Sequence, residues 1–195
     1  MKVLITGVTG RIGANLAAAL MKKGYEIRGL VMPNDPKAEK ARRLGVEVVE
    51  ADLGDAEKVH RAVDGVDIVA HLAAQIIQGT TPADRMYVVN TLGTANLLEG
   101  AIKARRPIQR FLLVSTDQTY SLFVTERTVF YEDRPQKPQD IYGLGKFLSE
   151  QIGLAYMREY ALPITILRYT SVIAGDEPLV VLRVCESIGG QFGCK

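Results

Sequence analysis

Tyr142 and Lys146 lie four residues apart in Tyr142-Gly143-Leu144-Gly145-Lys146, at the start of an apolar segment that includes Phe147, Leu148, Ile152 and Leu154. On a helix, positions i and i+4 share a face, so the ammonium is expected beside the phenol. A neighbouring cation stabilises phenolate and is expected to draw its pKa down from about 10 towards working pH. A phenol tuned in that way is the general acid/base that oxidation of an alcohol needs. A second polar run, Ser115-Thr116-Asp117-Gln118, follows the apolar Phe111–Val114 and offers hydroxyl, carboxyl and amide groups.

Other residues point to a phosphate-bearing ligand. Val3-Leu4-Ile5 reads as a short strand buried on both faces, and Gly7, Gly10 and Gly13 follow it at intervals of three. An Ala/Leu-rich segment to Leu20 then reads as helix. Strand, glycine turn and helix together make a dinucleotide-site pattern. Glycine lets the backbone turn sharply and admits a pyrophosphate where a Cβ would block it. The helix behind it aims unpaired N–H groups and a positive dipole end at the phosphates, and Arg11 stands within the loop.

These groups need a scaffold that brings them together. Tyr25–Met32, Val46–Glu50, Val66–Ala70, Phe111–Val114 and Ile164–Tyr169 read as strands two to six, separated by helical patterns such as Ala38–Leu44 and Val89–Glu99. The alternation predicts a doubly wound parallel sheet (Rossmann fold) in three αβα layers, with right-handed crossovers and strand order 3-2-1-4-5-6. Ligands in such sheets bind beyond the carboxyl ends of the strands, so the Thr116 tip is expected to face substrate. An acid at the tip of the second strand would favour NAD over NADP. Val31 and Met32 stand there and decide nothing; Asp35, in Pro33-Asn34-Asp35-Pro36, is at about the right distance but also suits a turn. The reading favours NAD without excluding NADP. His71 reads as a structural histidine at a strand exit, and His60, on a charged helix, as exposed.

The string Thr6-Gly7-x-x-Gly10-x-x-Gly13 resembles the signature of the extended short-chain dehydrogenase/reductase family, which holds NAD-dependent nucleotide-sugar epimerases and dehydratases. His71-Leu72-Ala73-Ala74 matches one form of that family's fourth-strand end letter for letter, and Val89–Glu99 resembles its N-V-x-G-T-x-N-L-L-E helix. Ser115–Tyr120 resembles the V-S-S-x-x-V-Y-G of epimerases and, more closely, the S-T-D-E-V-Y-G of dehydratases. Leu167–Val172 resembles L-R-Y-x-N-V-Y-G-P, with Ser171 for Asn and Ile173-Ala174 for Tyr-Gly.

The resemblance implies a catalytic set of Thr116, Tyr142, Lys146 and Asn90. Thr116 would hold the substrate oxygen, Lys146 would also bind the nicotinamide ribose, and Asn90 would support the proton relay. It implies cofactor contacts from Gly7, Gly10, Arg11, Ile12, Gly13, Leu72, Ala73, Ala74, Tyr142 and Lys146, and an adenine contact from Asp52 and Leu53. Asp52 also reads as a cap for the helix beginning near Asp55. Asp117 and Gln118 would contact substrate, but an amide at 118 is no base near neutral pH, which speaks against dehydration. The implied activity is that of an NAD(P)-dependent sugar or nucleotide-sugar epimerase or dehydrogenase, with hydride transfer to nicotinamide. A homodimer through the helices of Asn90 and Tyr142 is implied as well. Residues 1–175 form the expected dinucleotide-binding domain, and 176–195, with a helix over Pro178–Ile188, the start of a truncated or reduced substrate lobe. Family members continue well past that point, so the alternative is a non-catalytic NAD(P)-binding sensor or scaffold, or a fragment without its substrate lobe.

Composition narrows the partners. The chain has 195 residues, a length that suits one domain with a full core. Its net charge of +2 gives no electrostatic case for nucleic acid, and the basic clusters Lys37–Arg43 and Arg105-Arg106 lack interleaved aromatics. No apolar run reaches the ~18 residues of a membrane span. Lys2 leads straight into a strand, which argues against a cleaved leader. Cys185 and Cys194 lack metal-ligand spacing, so no metal is expected, and a reducing, cytoplasmic setting fits.

Overall fold

Val3, Leu4 and Ile5 are buried on both sides, as a β-branched run at the centre of a parallel sheet must be. The structure, a computed structural model, describes residues 1–76, 82–120, 130–170 and 172. Strand β1 (Lys2–Thr6) lies between β2 (Glu26–Val31) and β4 (Ile68–His71), with Ile5 opposite both Gly29 and Ala70. Adding β3 (Glu47–Glu50), β5 (Arg110–Thr116) and β6 (Ile164–Tyr169) completes six parallel strands in the order β3-β2-β1-β4-β5-β6. This is the predicted topology. Strand ends move by a residue or two, and His71 therefore lies within β4.

Alternate strand residues feed two cores. Val3, Ile5, Ile27, Val31 and Ala70 pack under helices α1 (Arg11–Lys22) and α2 (Ala38–Arg43). Leu4, Val69, Phe111 and Leu113 pack on the other face with α3 (Ala56–Val63), α5 (Gly93–Lys103) and α6 (Ile141–Tyr160). A short helix α4 (Ala83–Met86) and a π-helical stretch, Tyr87–Leu92, run directly into α5. The helix expected from Val89 thus begins earlier and carries a wider turn at Asn90.

Two expectations are corrected here. Asp52 does not cap α3; Asp55 does, accepting from Lys58 N at 3.2 Å, while Asp52 turns back to accept from Gly54 N at 2.8 Å. His60 is not exposed. It is half-buried where α3 meets α5, against Gly100, and its Nε2 is buried without a hydrogen-bond partner among the described residues. A charged helix sequence did not reveal that a glycine on the next helix lets the two approach so closely. The helix expected over Pro178–Ile188, residues 176–195 and the departures at Ser171 and Ile173-Ala174 lie outside the described residues.

Candidate active site

The glycine loop closes tightly over the first turn of α1. Gly7 takes φ +69°, a left-handed conformation that side chains disfavour, and a Cβ there would stand 3.0 Å from Ala73 N and Cα. A Cβ on Gly13 would lie 2.2 Å from Gly7 O. Helix α1 starts at Gly10 with no side-chain cap and no acidic residue in its first turn. Its leading N–H groups and positive dipole end, at Arg11, Ile12 and Gly13, therefore suit a phosphate.

Beside the loop, Asp35 Oδ2 accepts from Thr9 Oγ1 at 2.6 Å and Oδ1 from Lys37 N at 2.8 Å. Asp35 is a turn residue, and the turn holds its carboxylate against the glycine loop. Asp52 Oδ2 pairs with Arg85 at 2.5 Å, and that guanidinium holds the Asp52 carboxyl below its usual range despite partial burial. Leu53 is buried against Gly93. A cavity of about 500 Å³ between α1 and α2 shares Val8, Thr9, Gly10 and Arg11 with the loop, but none of Thr116, Tyr142 or Lys146 lines it.

A buried hydrogen-bond chain ties this loop to Asn90. Thr6 Oγ1 accepts from Leu72 N at 3.1 Å and Ala73 N at 3.0 Å, so its own proton is left for His71 Nδ1 at 2.8 Å. That assigns the His71 proton to Nε2, which donates to Thr94 Oγ1 at 3.0 Å. Thr94 in turn donates to Asn90 O at 2.6 Å. Burial, with the charge of Lys146, lowers the His71 pKa to about 3, so the ring stays neutral as the chain requires. The structural reading of His71 agrees with this arrangement.

Asn90 bridges through its side chain to the backbone of Gln75. Its Oδ1 accepts from Gln75 N at 2.7 Å, its Nδ2 donates to Gln75 O at 2.9 Å, and its backbone carbonyl also takes the Ser149 hydroxyl. The side chain thereby fixes the segment after β4 that carries Leu72, Ala73 and Ala74, and the wide π turn supplies the room. Gly145 packs beside it, since a Cβ there would lie 3.6 Å from Asn90 Cβ.

Helix α6 brings its first turn onto the end of β5. Asp140 caps it, accepting from Gly143 N at 2.6 Å, and Gly143 has no side chain because Gln118 O would stand 2.3 Å from its Cβ. Asp117 is thereby brought close enough for its carboxylate to act on Tyr142. Thr116 Oγ1 donates to Asp117 Oδ1 at 3.2 Å and accepts from Gln118 N at 3.3 Å. Burial raises the Asp117 pKa. The phenol of Tyr142 is also raised, first by burial and then by the carboxylates of Asp117 and Asp140. This corrects the expected lowering: desolvation and two flanking anions, not the ammonium one turn on, dominate at the phenol. Lys146 itself is buried, and burial lowers its pKa to about 8 against the opposing pull of Glu150.

Asp117, bonded to Thr116, therefore acts on Tyr142 at the start of α6, and a separate chain runs from Thr6 through His71 and Thr94 to Asn90, which Ser149 links to Gly145 of α6. Asp52 and Leu53 lie apart, near α4 and α5. Gln75, Arg85, Thr94, Ser149 and Glu150 were not foreseen. Only Glu150 had a signal, four residues beyond Lys146 in the Tyr142, Lys146 progression. The described residues contain no group of three His, Cys, Asp or Glu side chains able to hold a metal, and no described helix is long and apolar enough to cross a membrane.

Residues 3–179 match the model of the NAD dependent epimerase/dehydratase family. The chain is 36% identical over 185 residues to UDP-glucuronate 4-epimerase 1 of Arabidopsis thaliana, covering 88% of this chain and 42% of that protein. Among solved structures it resembles the UDP-glucose 4-epimerase of Thermus thermophilus in complex with NAD (TM-score 0.77, 31% identity, 87% of this chain and 55% of that one). It also resembles the UDP-glucuronic acid 4-epimerase from Bacillus cereus in complex with NAD (TM-score 0.75, 26% identity, 89% and 57%). The chain spans less than half the length of the plant epimerases it matches.

Proposed function

The chain belongs to the NAD dependent epimerase/dehydratase family, and from that premise we propose that it forms the NAD-binding, catalytic part of a nucleotide-sugar epimerase or dehydrogenase. The observation that supports this reading is Asp117, bonded to Thr116, acting on the phenol of Tyr142, with a buried Lys146 one turn further along α6. The loop fits a dinucleotide: Gly7, Gly10 and Gly13 let it close tightly, since a Cβ on any of them would press on backbone, and the uncapped start of α1 favours the charge of a pyrophosphate. The Asp35 carboxylate, fixed beside the loop, favours a free ribose 2′-hydroxyl over a 2′-phosphate and so NAD over NADP. When bound, NAD supplies hydride acceptance and return.

The chain's own residues handle the proton and the geometry. Thr116 orients the reacting oxygen. Tyr142, kept protonated by its raised pKa, gives that oxygen a proton when a carbonyl is reduced, and the phenolate this leaves takes the proton back when an alcohol is oxidised. Lys146, buried one turn along α6 from Tyr142, supplies a positive charge and a donor for the ribose. Asn90 acts by holding the backbone of Gln75 and, through it, the segment after β4, since its Oδ1 and Nδ2 both bond there. Gln118 offers no base for elimination, which favours epimerisation or oxidation over dehydration. A soluble homodimer through α5 and α6, in the cytoplasm, belongs to the same proposal.

Tyr142→Phe tests it. Turnover on a panel of UDP-sugars is expected to fall by roughly 10²- to 10⁴-fold, with NAD affinity in calorimetry little changed. Undiminished turnover would remove Tyr142 from the mechanism.

A further inference from the structure

Glu150 is completely buried, one turn of α6 beyond Lys146, and no step described so far uses it. Its partners come from three other parts of the chain. Arg168 of β6 reaches it through Nε at 3.1 Å to both oxygens and through Nη2 at 2.8 Å. Ser115 Oγ, at the end of β5, donates to Oε1, and Gln136 Nε2 donates to Oε2 at 2.8 Å. In each of these contacts the carboxylate oxygens accept. Arg168 also donates to the Tyr120 hydroxyl and to Glu132 O at 2.8 Å, with its guanidinium 5.1 Å from the Tyr120 ring centre.

A buried ion pair is a poor source of stability, since desolvating both charges offsets much of their attraction. This one stands where placement matters. Ser115 immediately precedes Thr116, and Glu132 and Gln136 lie on the segment leading into α6. We propose that Glu150 is a positioning residue of this site: anchored by Arg168, its carboxylate ties the end of β5 to α6 and β6 and stands as counter-charge to Lys146. The inference rests on the reading of Tyr142 and Lys146 given above. The titratable groups around that pair are Glu150 on the same helix, His71 on β4, Asp117 past β5 and Asp140 before α6, with Arg168 behind Glu150. The π-helical stretch presents the neutral Asn90 and Thr91. Among these, Glu150 raises the Lys146 pKa while burial lowers it.

The test reads Lys146 directly, without turnover. Protein carrying ¹³C at lysine Cε is titrated by NMR, with the Lys146 signal assigned by its loss in Lys146→Met. The wild-type midpoint is expected near 8. In Glu150→Gln it is expected to fall by about one pH unit, and Glu150→Asp is expected to return most of that shift. Amide exchange at Ser115 and Thr116 is expected to quicken at least about tenfold, a local loss of order. An unchanged midpoint with unchanged exchange overturns the proposal. Glu150→Gln strands a partly buried guanidinium, so Glu150→Gln/Arg168→Gln keeps the test decisive if the single variant does not fold. It should move the midpoint in the same direction, and no movement is equally fatal. Failure of Tyr142→Phe to reduce turnover would sink the catalytic reading while leaving the Lys146 midpoint where it is, so the two failures can be told apart.

Discussion

Gly13→Ala puts the dinucleotide reading at risk with a single methyl group. The added Cβ would meet Gly7 O at 2.2 Å, Val8 Cα at 2.8 Å and Gly7 C at 2.9 Å, all backbone atoms that no rotamer change can move. Relief requires α1 and the loop to part from 2.2 Å to the 3.4 Å of ordinary contact. Alanine gains about 1 kcal/mol over glycine in a helix, whereas overpacking costs about 1–3 kcal/mol. With rigid backbone as the obstacle the cost lies near the upper end, a net loss of about 1–2 kcal/mol. For a chain of this size that is a fall in Tm of roughly 2–8 °C. The same displacement shifts the N–H groups meant for the pyrophosphate, so the Kd for NAD is expected to rise at least about tenfold, or about 1.4 kcal/mol. Calorimetry measures both quantities. Ala19→Gly, on the exposed side of the same helix, is the control: it costs about 1 kcal/mol in stability and leaves affinity alone. A Gly13→Ala protein that binds NAD as tightly as wild type would refute the reasoning.

The His71 pKa, lowered from 6.5 to about 3, makes stability depend on pH with a definite sign. Unfolding takes up a proton between those values, so this contribution is whole above pH 6.5 and drains away as pH falls towards 3. Urea denaturation at a series of pH values should show a slope approaching about 1.4 kcal/mol per unit that His71→Gln flattens, and ¹⁵N NMR should find the proton on Nε2. Asp140→Ala removes the cap on α6 and is expected to cost about 1 kcal/mol, whereas Asp140→Asn keeps the cap. Both remove a charge that raises the Tyr142 pKa, so the limb of kcat/KM set by the phenol should move to lower pH in each.

Local features were legible in the order of residues alone. A three-residue apolar run, glycines at fixed intervals and a helical Ala/Leu pattern specify β1, the loop and α1, because dihedral preference and side-chain period act over a few residues. The same locality made Tyr142 and Lys146 neighbours on α6, and the alternation of strand and helix predicted the sheet order. Folding decided everything that depends on partners far along the chain. Asp52 was drawn from capping to Arg85, 33 residues away. Gly100 let α5 close over His60 of α3, and Gln75 took the side chain of Asn90. The Tyr142 phenol rose where the i, i+4 lysine predicted a fall, because burial and the carboxylates of Asp117 and Asp140 outweigh one ammonium. Glu150 met Arg168 only when β6 lay down beside β5. Desolvation and Coulomb interaction follow distance in space, and the order of residues sets that distance only across a turn or two of helix.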